Sequence, residues 1–260
     1  MLELYHWEPN TFFLKPLIAL AEKGEPYTAH YYDPTQFQQF APSFPVSDES
    51  RLNLEREGPV LVDDGTIIAS SFFLLEYIAE SFAGLALMPG NPFDRYRAHA
   101  WGQIIALSVA GPVAALGCAR YLAPALRARP AEPLQGQLEA IDPLERRAAW
   151  KAVLDGTEAE VAAQTARQLA APLRRIEAAL ASSPWLAGAE YSIADIDAFA
   201  MLAPLPALAP ELVNMTATPN IAAFLQRMQA RPAVRAALAL SRTGRPGQAF
   251  VPGPESSRWG

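Results

Sequence analysis

The chain has 260 residues, 51% of them hydrophobic, with 27 acidic against 21 basic side chains and a net charge of −6. That size suits one large or two modest domains with a proper core, and the acidic balance argues against nucleic acid, which wants a basic face. A single cysteine (Cys118) excludes an internal disulfide framework, three dispersed histidines (His6, His30, His99) make no metal site by spacing, and neither a bilayer-spanning apolar run nor a signal peptide is read, so a reducing cytoplasm is expected.

LELYHW (2–7) is a short aromatic-rich run that reads as a strand. LKPLIALAEKG (14–24) places Leu14, Leu17, Ile18 and Ala21 on one helical face, with Gly24 as a natural stop. Pro16 is tolerable in the first turn, where its missing N–H is not needed. YTAHYY (27–32) reads as a second strand, and DPTQFQQFAPSFP (33–45) as turn-rich with one short helix. PVLVDDGTIIA (59–69) gives two β-branched runs around Asp64-Gly65, a hairpin signal because both turn positions need φ > 0. SSFFLLEYIAESF (70–82) follows as an apolar helix capped by Ser70 or Ser71.

This βαβ(α)ββα order, with Pro59 immediately before the third strand, is the pattern of a thioredoxin-like α/β domain over 1–83. No cysteine lies in this half, so redox chemistry by the protein's own thiols is not expected. GLALMPGNP (84–92) is a breaker-rich linker, and an all-α domain is expected over 93–242. Within it, 93–122 reads as one long helix or two broken near Gly111-Pro112. The proline-rich 123–144 reads as an excursion, 157–183 as a long helix, and 218–241 as two helices punctuated by Arg231-Pro232. YSIADIDAFAMLAPL (191–205) opens with Ser192-x-x-Asp195, a capping-box arrangement. The tail from 243 to 260 reads as extended or disordered.

Gly58-Pro59-Val60-Leu61, Asp64-Gly65, the Ser70-Ser71 helix start with Glu76-Tyr77-Ile78, YSIADID and RMQARPAV together resemble, in order and spacing, the glutathione S-transferase superfamily. Leu14 through Phe44, NPFDR, the Trp150-Lys151 pair and TPNIAAFLQRMQARPAV are similar to one branch, the bacterial β-etherases that cleave the β-aryl ether bond of lignin-derived aromatics. The resemblance implies a glutathione S-transferase fold with glutathione as co-substrate on the first domain and an aromatic ketone against the second. It also implies a dimer. The thiolate attacks the carbon bearing the aryloxy group beside a carbonyl, a phenolate leaves and a thioether forms. Donors near the first helix's N-terminus lower the thiol pKa from about 8.5.

By the same resemblance Pro59 matches a cis-proline position, and Gly58 presents its backbone to the tripeptide where the family usually has a bulkier residue. Ser71 matches the serine that cradles the glutamyl carboxylate, as helix N-termini commonly hold anions. Ser70 stands where an acid usually pairs with the glutamyl amine, and losing that charge-assisted bond costs about 1.5–3 kcal/mol. Phe13, after Phe12, occupies the place of the serine that donates to sulfur. That leaves Asn10 and Thr11 as the catalytic candidates, with Phe12-Phe13 reading as an apolar plug. With two glutathione contacts altered, the enzyme reading stands beside two others: a non-catalytic subunit paired with an active paralogue, and a hydrophobic-ligand binder without turnover.

Overall fold

The computed structural model describes residues 1–45, 58–141 and 144–253. Four strands form one sheet in the order β2-β1-β3-β4, from β1 (Leu2–His6), β2 (Thr28–Tyr31), β3 (Val60–Asp63) and β4 (Thr66–Ala69). β1 runs parallel to β2 and antiparallel to β3, with Leu4 opposite both Ala29 and Leu61. Leu2, Leu4 and His6 turn inward while Glu3 and Tyr5 are only partly covered, the period-2 alternation of a half-buried strand. The expected hairpin is present: Asp64 and Gly65 both take positive φ (45° and 87°) between β3 and β4.

Helix α1 (Thr11–Lys23) follows β1, and Gly24 ends it in the left-handed conformation. Every residue from Thr11 to Leu20 is buried, because α1 is covered by α2 (Ser71–Ser81) and by two helices of the second half, introduced below. The expected short helix after β2 is instead two 3₁₀ turns, Pro34–Gln36 and Gln38–Phe40.

The second half is helical. Helix α3 (Pro92–Arg127) runs unbroken through Gly111-Pro112. Two π turns, Ala106–Ala110 and Cys118–Leu122, flank the segment Gly111–Gly117. Pro112 thus falls in the first turn of that segment, where its absent N–H is tolerated. By length and composition alone α3 is long and apolar enough to cross a membrane, contrary to the sequence reading, and more than half of its most apolar window is buried inside the protein.

The proline-rich 123–144 segment is also mostly helical: α3 continues to Arg127, and α4 (Ala131–Glu139) follows with Leu134 and Leu138 buried. Pro130 precedes α4 and Pro133 lies in its first turn, positions where proline does not break a helix. Next come α5 (Leu144–Asp155), α6 (Glu158–Ser182), α7 (Ile193–Leu202), α8 (Leu205–Leu208), α9 (Pro219–Gln229) and α10 (Pro232–Leu238). α7 is buried on all sides and α1 packs on it and on α10. Its capping box forms as expected, and Asp195 also accepts from the Leu186 N–H at 2.9 Å. Burial pushes the Asp195 carboxyl up to about 7 against these bonds. A second capping box, Thr157 with Glu160, starts α6.

The described part of the tail carries no regular element after the 3₁₀ turn Pro246–Gln248, as an extended segment would, yet it is tied down. Residues 249–252 form a buried strap, with Phe250 1% exposed, while 244, 245, 247 and 248 are exposed and 254–260 lie outside the described residues. Its ring stacks on Tyr121 (6.0 Å, 12°) above Gly117, where a Cβ would lie 2.1 Å from the ring. Beside the strap is a cavity of about 270 Å³ bordered by Gly111, Ala115, Cys118, Ala152 and Pro252.

Candidate functional site

The residues expected to meet the sulfur lie where β1 turns into α1. Trp7 through Leu20 are all buried. Asn10 is 5% exposed and Thr11 2%, with Thr11 at a positive φ of 43°. The Asn10 side-chain amide donates to the Ala249 carbonyl of the strap at 2.9 Å. Below the strap's start, the Glu8 carboxylate accepts from the Arg242 and Thr243 N–H groups (2.9 and 3.1 Å), from the Ser241 and Thr243 hydroxyls, and from Tyr31. At its far end the buried Arg146 donates to the carbonyls of Pro252 and Gly253 at 2.8 and 2.7 Å. The strap thus engages Asn10, and Thr11 beside it is buried.

Gly58 and Pro59 are joined by a cis peptide bond. The Gly58 N–H donates to the Tyr32 hydroxyl at 2.9 Å. Phe13 meets Tyr32 and Trp7 edge-on, each at 6.0 Å. A Cβ at Gly58 would lie 2.3 Å from the Tyr32 hydroxyl and 3.1 Å from the Phe13 ring. This explains the small residue before the proline: the phenol and the Phe13 ring fill the room that a side chain there would need. The plug expected of Phe12 and Phe13 is present, at 7% and 2% exposure.

At the start of α2 the picture differs. Ser70 is the N-cap residue, one of the two expected, but it holds a positive φ of 73° and its hydroxyl makes no capping bond. Ser71 is half-buried. Its Oγ accepts from Lys15 Nζ at 3.1 Å, and the same ammonium lies 2.6 Å from Asp197 Oδ1 on α7. Burial pushes the Asp197 carboxyl up, and the Lys15 charge pulls the other way.

The chain's one cysteine takes no part: Cys118 is buried and burial pushes its thiol well up, which keeps it protonated and a poor nucleophile. Among the described residues no group of three or more His, Cys, Asp or Glu side chains is placed to hold a metal.

The predicted site residues therefore divide into two ends. Asn10 is bonded to the strap, Thr11 is buried, and Gly58, joined to Pro59, is bonded to Tyr32 and crowded by Phe13, so the donors expected to meet a thiolate are already engaged or buried. Ser70 and Ser71 open α2 at a partly exposed helix N-terminus, which suits a carboxylate. Sequence reasoning missed Tyr32, Lys15 and Asp197. Its available signals were a lysine set in an apolar helix face and a second aspartate two residues after the capping one, inside an apolar run.

The glutathione S-transferase N-terminal domain family matches residues 1–80, and its C-terminal domain family matches residues 136–232. Protein LigF of Sphingobium sp. (strain NBRC 103272 / SYK-6) is 28% identical over 240 residues, covering 90% of this chain and 91% of that protein. The crystal structure of β-etherase LigF from Sphingobium sp. strain SYK-6 superposes with a TM-score of 0.84 at 27% identity, covering 92% of this chain and 99% of that one. Glutathione S-transferase GstA of Escherichia coli O157:H7 is 25% identical over 235 residues, 89% of this chain and 95% of that protein.

Proposed function

The chain belongs to the glutathione S-transferase family, and from that premise we propose that it serves glutathione-dependent β-aryl ether cleavage as the non-catalytic subunit of a cytoplasmic dimer whose other subunit is an active paralogue. In the reaction a glutathione thiolate attacks the carbon bearing the aryloxy group. The carbon–oxygen bond breaks, its electron pair leaves with the phenolate, and a carbon–sulfur bond forms. A subunit that performs this step needs a donor aimed at the sulfur and an open backbone beside the cis-proline. The observation that carries the proposal is that both are taken. The Gly58 N–H is bonded to Tyr32, Asn10 is bonded to the strap, and Thr11 is buried.

The partner reading has its own support in a set of exposed aromatic side chains. Phe73 on α2 and Phe93 and Tyr96 on α3 are 49%, 64% and 66% exposed. Large aromatics of this kind anchor interfaces. Replacing Phe93 and Tyr96 together by serine is expected to weaken subunit association about tenfold or more, read by sedimentation, with the melting temperature of the monomer nearly unchanged.

The competing reading makes this chain the catalyst, with Asn10 or Thr11 donating to sulfur from the N-terminus of α1. Steady-state assays with a β-aryloxy ketone separate the two. The expected result is no ether cleavage by the chain alone and cleavage when it is mixed with an active paralogue. Turnover by the chain alone that falls in Asn10→Ala would reject the subunit role.

A further inference from the structure

Helix α2 begins without a side-chain cap, so the N–H groups of its first turn have no partner within the helix. Behind that turn, and out of water, stands a charge that the sequence does not advertise. Lys15 is 3% exposed, its Nζ 3.1 Å from Ser71 Oγ and 2.6 Å from Asp197 Oδ1. Asp197 is 1% exposed, and its Oδ2 has no hydrogen-bond partner among the described residues. The ammonium also sits 5.4 Å from the centre of the Phe12 ring. Three helices, α1, α2 and α7, therefore meet at one buried ion pair.

An ammonium carries three hydrogens and no lone pair, whereas a serine hydroxyl has one hydrogen and two lone pairs. In the Lys15–Ser71 contact the hydroxyl is therefore the acceptor. That leaves its single hydrogen available to another acceptor at the half-exposed start of α2. Asp197 supplies the counter-charge without which an ammonium would not stay in this apolar setting.

We infer that Lys15, held by Asp197, is a positioning residue for Ser71: it fixes the hydroxyl as a donor toward the α-carboxylate of a γ-glutamyl ligand at the N-terminus of α2. The inference rests on the reading that this helix end takes the glutathione carboxylate. It does not depend on the sulfur end. A chain built this way grips glutathione by its γ-glutamyl unit without activating its thiol, as suits the non-catalytic member of a pair.

The test is calorimetric titration of the full chain with glutathione, with cysteinylglycine, which lacks the γ-glutamyl unit, as control. Ser71→Ala and Lys15→Met are each expected to weaken glutathione about tenfold, and the double variant no more than either one, because Lys15 acts through Ser71. Cysteinylglycine should be indifferent to both. Lys15→Arg, which keeps a buried donor, should recover part of the loss. The paired change Lys15→Met with Asp197→Leu removes both charges and keeps the site packed. It should melt cooperatively yet bind as weakly as Ser71→Ala. Wild-type affinity in that paired variant, or Lys15 and Ser71 effects that multiply to about a hundredfold, would overturn the inference while leaving the carboxylate seat standing. Equal binding by wild type and Ser71→Ala, or none by either, would instead reject the seat itself and the inference with it.

Discussion

Glu8→Gln is expected to destabilise the protein by about 3 kcal/mol and to loosen the C-terminal strap. The carboxylate is 0% exposed and is held by donors on Tyr31, Ser241, Arg242 and Thr243. Such bonds to a charged acceptor are each worth about 1.5–3 kcal/mol. Glutamine keeps the shape but removes the charge that strengthens every one of these bonds, and its amide nitrogen would force the Ser241 and Thr243 hydroxyls to accept instead of donate. Burial alone would raise the Glu8 pKa, but the bonds from Ser241, Tyr31, Arg242 and Thr243 outweigh it and the net shift is downward. A carboxyl whose pKa is lower in the folded state stabilises fully above its unfolded value, and loses that contribution as pH falls through the folded one. The advantage of wild type over Glu8→Gln should therefore be complete at pH 7 and shrink below about pH 4. Urea unfolding of both proteins across that range reads it directly. A difference that stays constant down to pH 3 would mean that the neutral acid holds the strap as well as the carboxylate does.

What the sequence reveals and what it hides divide by distance along the chain. Asp64-Gly65 announces a hairpin because the turn chemistry is complete in two adjacent residues. Ser192 and Asp195 announce a helix start three residues apart. Both are present in the structure. The strap could not be read this way. Its prolines and glycines suggest a loose end, while the groups that hold it, Glu8, Asn10 and Arg146, lie more than a hundred residues away. Lys15 and Asp197 are hidden for the same reason. Each is a charge in an apolar run, and only the fold shows that the two neutralise one another. Pro112 left one long helix and two broken ones equally open, because a local rule for breaking helices does not foresee the π turn just before it. The altered site was half legible. Phe13 in place of a donor could be seen, but the pairing of Tyr32 with the Gly58 N–H needed β2 and the cis turn side by side.

Phe250→Ala is expected to cost about 3–5 kcal/mol, the range for removing a buried phenylalanine ring, and to uncover the sulfur end of the site. The ring is the strap's one large apolar anchor, packed on Tyr121 and on the bare backbone of Gly117. With the ring gone, the Ala249 carbonyl loses the support that holds it against Asn10. The amide of Phe13, which bonds to the Asn10 carbonyl, should then exchange with deuterium faster. Gly117→Ala attacks the same contact from the other side. Its Cβ would fall within 2.1 Å of the ring, so it should cost about 1–3 kcal/mol by overpacking. The two changes should not add: in the Phe250→Ala background the extra methyl meets empty space, and Gly117→Ala should be nearly neutral there. Unchanged exchange at Phe13 in Phe250→Ala would show that the first turn of α1 is closed by its own packing and not by the strap. Faster exchange together with tighter glutathione binding would identify the strap as what separates this chain from a complete glutathione site.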